Sequence, residues 1–113
     1  MAEKVLQGKV ALIAGGGKNL GRLISTTLAA DGALIAVHYN SNASKASAEE
    51  TVAEIKKAGS DAFAYQADLT KIPEMVKLFD ETVKRFGRLD ISINTVGKVL
   101  KKPFVDTTEA EYD

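Results

Sequence analysis

Short apolar runs and amphipathic stretches alternate along this chain. Val10 to Ala14 is an apolar run closed by Gly15, Gly16 and Gly17, the pattern of a strand buried on both faces. Leu20, Leu23, Ile24, Thr27 and Leu28 then recur at i, i+3, i+4, i+7 and i+8. That spacing predicts a helix from about Asn19 to Asp31 with these residues on its buried face, stopped by Gly32. Leu34 to Val37 is a second apolar run ending at His38, Tyr39 and Asn40, followed by a polar loop from Ser41 to Ser44. A second helix is expected from about Ser44 to Ala58, with Ala48, Val52 and Ile55 as its buried stripe. Ser47 and Glu50 have capping-box spacing, and Glu49, Glu50, Glu54, Lys56 and Lys57 face water, acids early and bases late. After Gly59, Ala62 to Tyr65 predicts a third strand. Thr70 is expected to cap a third helix carrying Ile72, Met75, Val76, Phe79, Val83 and Phe86 on one face, with Pro73 in the first turn and Gly87 at the end. Leu89 to Ile93 predicts a fourth strand.

The order βαβαβαβ with short connections implies an α/β fold, a parallel sheet with helices on both faces and right-handed crossovers. After Asn94 the pattern becomes irregular and basic, through Lys101, Lys102 and Pro103. Thr108 and Glu111 again have capping-box spacing, the sign of a helix about to start. A sheet ending on an apolar edge strand is an aggregation hazard. The chain is therefore expected to be truncated, the N-terminal part of a longer protein. The alternative is a small complete domain with a frayed tail.

Composition narrows the function classes. The 113 residues are the size of one domain, and 45% are apolar. Lys plus Arg is 15 and Asp plus Glu is 15, which argues against electrostatic capture of nucleic acid or an anionic membrane. No cysteine is present, which excludes a disulfide scaffold, a cysteine nucleophile and cysteine-ligated metals. His38 is the single histidine, so a histidine-rich metal site or a Ser-His-Asp triad is not expected, and no metal is assigned. His38 itself reads as a strand-end residue with a satisfied ring rather than a catalyst. The start lacks the apolar stretch of a secretory signal, no run approaches the ~20 residues that span a bilayer, and a cytoplasmic location is expected. Asn42-Ala43-Ser44 matches a glycosylation acceptor by chance composition.

The turn from Ala14 to Gly21, Ala-Gly-Gly-Gly-Lys-Asn-Leu-Gly, joins the first strand to the first helix. Glycines there let main chain approach a phosphate closely, and a helix N-terminus adds N–H groups and a positive dipole. It is neither a Walker A loop nor a strict G-x-G-x-x-G: Asn19 follows Lys18, position 12 is Leu, and Leu20 lies three residues after Gly17. From about Lys9 to Asp113 the sequence resembles the short-chain dehydrogenase/reductase family. The family's T-G-x-x-x-G-x-G turn aligns with Ala14 to Gly21. Its Asp after the third strand aligns with Asp68, and its N-N-A-G after the fourth with Asn94, Thr95, Val96 and Gly97. There are departures. Ala14 replaces a Thr whose hydroxyl braces the turn in the family. Asn19 replaces the middle glycine, and Asn tolerates positive φ better than most residues. Thr95 and Val96 replace Asn and Ala.

The resemblance implies a Rossmann-like doubly wound sheet of strand order 3-2-1-4, with residues 1–113 forming the N-terminal part of one NAD(P)-binding domain. It implies that Gly15, Gly17, Lys18, Asn19, Leu20 and Gly21 surround a pyrophosphate. Tyr39, Asn40 and Ser41 would surround the adenosine ribose. Asp68 and Leu69 would lie beside the adenine, and Asn94, Thr95, Val96 and Gly97 along the ribose side of the crevice. NAD-binding Rossmann folds place an acid about 20 residues beyond the turn, yet none occurs from Val37 to Lys45. Lys18, where a basic residue accompanies NADP in the family, adds to the same reading. NADP(H) is therefore expected over NAD(H). The run Val37 to Ser41 is also similar to pteridine reductases of the family, whose strand end handles NADP.

The family's catalysis uses a Tyr in Y-x-x-x-K with a Ser and an Asn. Tyr39, Tyr65 and Tyr112 are the only tyrosines and none starts that motif, so no catalytic residue is assigned. The expected function is the dinucleotide-binding half of an NADP(H)-dependent carbonyl or alcohol oxidoreductase, homo-oligomeric when complete and inactive as this chain alone. The alternatives are a non-catalytic dinucleotide-binding module and a different Rossmann enzyme, an epimerase or a methyltransferase half.

Overall fold

The computed structural model describes residues 5–17 and 19–95. The chain runs β1 (Val10–Ala14), α1 (Asn19–Ala30), β2 (Leu34–Tyr39), a short 3₁₀ turn (Asn42–Ser44), α2 (Lys45–Lys57), β3 (Ala62–Gln66), α3 (Ile72–Phe86) and β4 (Ile91–Asn94). The four strands form one parallel sheet in the order β3-β2-β1-β4. The expected doubly wound α/β architecture is thus the observed one.

Period-two alternation divides the core between the two faces. Ala11 and Ile13 of β1 join Ile35, Val37 and Tyr39 of β2 under Ala29 of α1 and Ala48 and Ile55 of α2. Leu12 and Ala14 join Ala36 and Phe63 on the opposite face, under Met75 and Leu78 of α3. All of β1 is buried, as a central parallel strand must be. β2 outlasts its apolar run because His38 and Tyr39 remain in register with Tyr65 and Gln66.

The helices are where predicted, but their buried faces are rotated. In α1 the residues turned to the core are Gly21, Ser25 and Ala29, with Ile24 and Leu28 half-buried. Leu20 and Leu23 are 60% and 61% exposed. The reason is the close approach of α1 to the glycine turn. A Cβ on Gly21 would run into the Gly15 carbonyl, and the Ser25 hydroxyl donates to the Gly16 carbonyl at 3.1 Å. Only small residues fit that contact.

In α2 the buried stripe is Ala48, Thr51 and Ile55, and Val52 packs from its edge. Ser47 lies inside the helix, so the predicted capping box does not form; its carbonyl accepts from the Thr51 hydroxyl. No acid occupies the first turn of α2, while Lys56 and Lys57 fall in the last as predicted. In α3 the buried stripe is Met75, Leu78 and Thr82, and Ile72, Val76 and Val83 are exposed. Lys71, not Thr70, is the N-cap residue, because Thr70 is turned back onto Asp68. Gly87 closes α3 in the left-handed conformation at φ 82°. No helix among the described residues is long and apolar enough to cross a membrane.

Candidate functional site

β1 has β2 on one side and β4 on the other, so the strand order reverses around it, and a crevice opens there beyond the carboxyl ends of the strands. A cavity of about 330 Å³ occupies this position. Gly15, Gly17, Asn19, Leu20 and Gly21 line one side of it, His38, Tyr39, Asn40, Ser41 and Ser44 another, and Thr95 reaches it from the end of β4.

The turn that floors the cavity is held from several elements. Gly15 has φ 72° and Asn19 φ 55°, so both adopt the left-handed conformation, and Asn19 is the residue that the sequence singled out as able to do so. A Cβ on Gly17 would stand 2.7 Å from the Ala48 Cα, so the turn lies directly on α2. The Thr51 hydroxyl donates to the Gly17 carbonyl at 2.9 Å. The first N–H groups of α1 have no helical acceptor, and they begin at the rim of this cavity.

Two further contacts fix the turn to the sheet. Thr95 donates its hydroxyl to the Ala14 carbonyl at 2.6 Å and its N–H to the same oxygen at 3.0 Å. The turn lost a hydroxyl at position 14, and one approaches the same carbonyl from position 95. The buried His38 ring stands between Gly15 and Ala67: Nδ1 accepts from the Gly15 N–H at 3.0 Å, and Nε2 pairs with the Ala67 carbonyl at 2.7 Å. The ring is satisfied, as expected of it. Burial lowers its pKa below the ordinary 6.5, against an opposing effect of the Ala67 carbonyl.

Asp68 and Leu69 follow β3 and are not part of the cavity wall. The Asp68 carboxylate accepts from the Thr70 hydroxyl at 2.6 Å and the Thr70 N–H at 3.0 Å, and chiefly the hydroxyl contact lowers its pKa. The Asp68 N–H donates to Glu74 at 2.7 Å. Leu69 is a core residue packed with Phe63, Met75 and Leu78. Asn94 ends β4 in register with Ala14, beside the cavity but outside its lining. Lys18, Val96 and Gly97 lie outside the described residues. The structure therefore brings Gly15, Gly17, Asn19, Leu20, Gly21, Tyr39, Asn40, Ser41 and Thr95 to one cavity and adds His38 and Ser44. Ser44 had no sequence signal beyond its place in a polar loop. No cluster of three or more His, Asp or Glu suited to a metal occurs among the described residues.

A doubly wound parallel sheet with a glycine-rich turn at its switch point defines a Rossmann-type α/β protein. The family profile described as short chain dehydrogenase matches residues 9–113. The chain belongs to that family. It is 47% identical over 108 residues to a short-chain dehydrogenase/reductase of Pestalotiopsis microspora, covering 96% of this chain and 40% of that protein. It is 45% identical over 108 residues to a hydroxynaphthalene reductase-like protein of Metarhizium brunneum, with the same coverage of 96% and 40%. Among solved structures, a dehydrogenase from Burkholderia cenocepacia with bound NADP is 58% identical with a TM-score of 0.80, covering 100% of this chain and 43% of that one. A short-chain dehydrogenase from Oenococcus oeni is 46% identical with a TM-score of 0.78, covering 96% and 46%. The chain thus spans about 40% of the length of the curated relatives it matches.

Proposed function

We propose that this chain forms the dinucleotide-binding half of an NADP(H)-dependent oxidoreductase acting on a small carbonyl or alcohol substrate. The observation that carries this reading is the cavity at the switch point, floored by a glycine turn and lined by no carboxylate of the described residues. Its volume, its glycine floor and its neutral donors suit a dinucleotide's phosphates and ribose. Gly15, Gly17, Asn19, Leu20 and Gly21 would hold the pyrophosphate, with Lys18 beside it as the cation that a 2′-phosphate would meet. Tyr39, Asn40 and Ser41 would meet the adenosine ribose and a 2′-phosphate on it, which would face no like charge. Asp68 and Leu69 would flank the adenine, and Asn94, Thr95, Val96 and Gly97 the adjoining ribose. When bound, the cofactor would supply hydride exchange with the substrate carbon. The chain's own share is to bind and orient it; Tyr39 and Tyr65 lack a Lys four residues on, and no catalytic residue is assigned. The neighbour solved with NADP supports the cofactor. Residues 1–113 are read as part of a single domain, with cytoplasmic location and homo-oligomerisation belonging to the same proposal.

The test is binding of NADPH, NADH and S-adenosylmethionine by fluorescence and calorimetry. NADPH should bind at least about tenfold more tightly than NADH, a difference of about 1.4 kcal/mol, and Lys18→Ala should narrow the gap. Equal affinities would overturn the NADP preference. Binding of S-adenosylmethionine alone would make the site that of a methyltransferase.

A further inference from the structure

His38 is the penultimate residue of β2 and is 1% exposed. The Gly15 N–H can only donate and the Ala67 carbonyl can only accept. The two contacts therefore fix the ring as the tautomer with a lone pair on Nδ1 and hydrogen on Nε2. The residue's own carbonyl accepts from the Gly16 N–H at 3.1 Å. One residue thus holds two consecutive amides of the turn. Ala67 also donates its N–H to the Tyr39 carbonyl at 3.1 Å and immediately precedes Asp68. The ring ties the ends of β1, β2 and β3 together at the cavity wall.

We infer that His38 is a positioning residue of the dinucleotide site, a neutral imidazole bridge that sets the conformation of the glycine turn against the end of β3. This deepens the reading proposed above and rests on it. A protonated ring has a donor at both nitrogens, and its Nδ1–H would face the Gly15 N–H, so the bridge exists only in the neutral form. Among the described residues, the titratable groups on the elements around the ring include Tyr39 beside it, Tyr65 in register with it on β3, Asp68, Lys71 at the N-cap of α3, and Glu74 and Lys77 of α3, which share a surface depression with Ala67. Asp68 and Glu74 are engaged with Thr70 and with the Asp68 N–H respectively. An amide side chain also offers one acceptor and one donor at nearly the separation of the two ring nitrogens, and it does not titrate. An apolar side chain fills space and offers neither.

The experiment compares wild type, His38→Gln and His38→Leu. Isotope-labelled histidine reports the ring tautomer, amide hydrogen exchange reports Gly15, and NADPH titration reports affinity. The expected ring carries hydrogen on Nε2, and Gly15 is protected in wild type. His38→Leu should lose Gly15 protection and roughly tenfold in NADPH affinity, while His38→Gln stays within about threefold of wild type. Wild-type affinity should hold above pH 6.5 and fall below it more steeply than that of His38→Gln, whose remaining slope is that of the cofactor's own 2′-phosphate, with its second pKa of about 6. The proposal is overturned by an Nδ1–H tautomer, by equal losses in the two variants, or by wild-type affinity in His38→Leu. Should His38→Leu not fold, the tautomer and the shallower pH profile of His38→Gln relative to wild type decide. Should wild type bind neither NADPH nor NADH, the dinucleotide reading fails, and the tautomer and Gly15 exchange of the unliganded protein still decide whether the bridge exists.

Discussion

At position 95 a hydroxyl and an N–H hold the start of the glycine turn. Ala14 is buried and has no side-chain donor, yet its carbonyl receives both the Thr95 hydroxyl and the Thr95 N–H. The hydroxyl also lies 3.2 Å from the Gly15 carbonyl, so it links the turn to the end of β4 at two successive oxygens. Read as a sequence, Ala14 and Thr95 are two separate departures from the family pattern. In the structure they meet, Thr95 bonding the carbonyl of Ala14. Thr95→Val keeps the side-chain shape and removes only the donor. It should cost about 1 kcal/mol in urea denaturation, the usual net worth of such a bond, while Thr95→Ser should stay near wild type. An unchanged midpoint in the valine variant would show that the hydroxyl braces nothing.

At the scale of the elements, periodicity located each strand and α-helix of the described residues but misjudged which helical residues face inward, and the helix start expected at Thr108 lies outside the described residues. Polar and small side chains occupy the contact stripes. Ser25, Thr51 and Thr82 are fully buried because each hydroxyl has an acceptor: Gly16 for Ser25, Gly17 and Ser47 for Thr51, Leu78 for Thr82. A pattern that scores hydrophobicity counts those positions as surface. A buried hydroxyl needs a partner, and that partner is visible only once the turn is folded against the helices. The same limit governed the site. The glycines, Asn40, Ser41 and Thr95 were legible from motif spacing. The bridging by His38 was not, because it depends on strand ends more than twenty residues apart, joined across β2. The rotation of α3 is directly measurable. Leu78→Ala should destabilise by about 2–5 kcal/mol, the cost of a core cavity, whereas Val76→Ala should stay within about 0.5 kcal/mol. Comparable losses at the two positions would restore the face predicted from periodicity.

For the molecule as a whole, balanced charge leaves specific groups to set the response to acid. Fifteen bases face fifteen acids, so no net repulsion dominates near neutrality. Among the described residues, three groups have folded-state pKa values below their ordinary ones. His38 is lowered by burial. Asp90 is lowered first by its bond to Arg88 and then by the Val10 N–H, which it accepts at 2.8 Å where β1 begins. Asp68 is lowered first by Thr70. In each case the unfolded chain binds the proton more readily than the folded one, so stability rises with pH through the window between the two values. The stability linked to His38 is complete above its ordinary 6.5 and is lost as pH falls through its lower folded value. That linked to the two aspartates is complete above 3.8 and is lost below it. Urea unfolding from about pH 7.5 down to about pH 3 should therefore show two successive declines, the first from histidine and the second from carboxylates. His38→Gln should remove the first and leave the second, and added salt should soften mainly the second, because the Arg88–Asp90 pair is exposed to screening. A first decline that survives in His38→Gln cannot come from the histidine, since the chain has no other. It would instead assign the loss to groups whose folded pKa lies below the unfolded one, the carboxylates first, and take His38 out of the acid response.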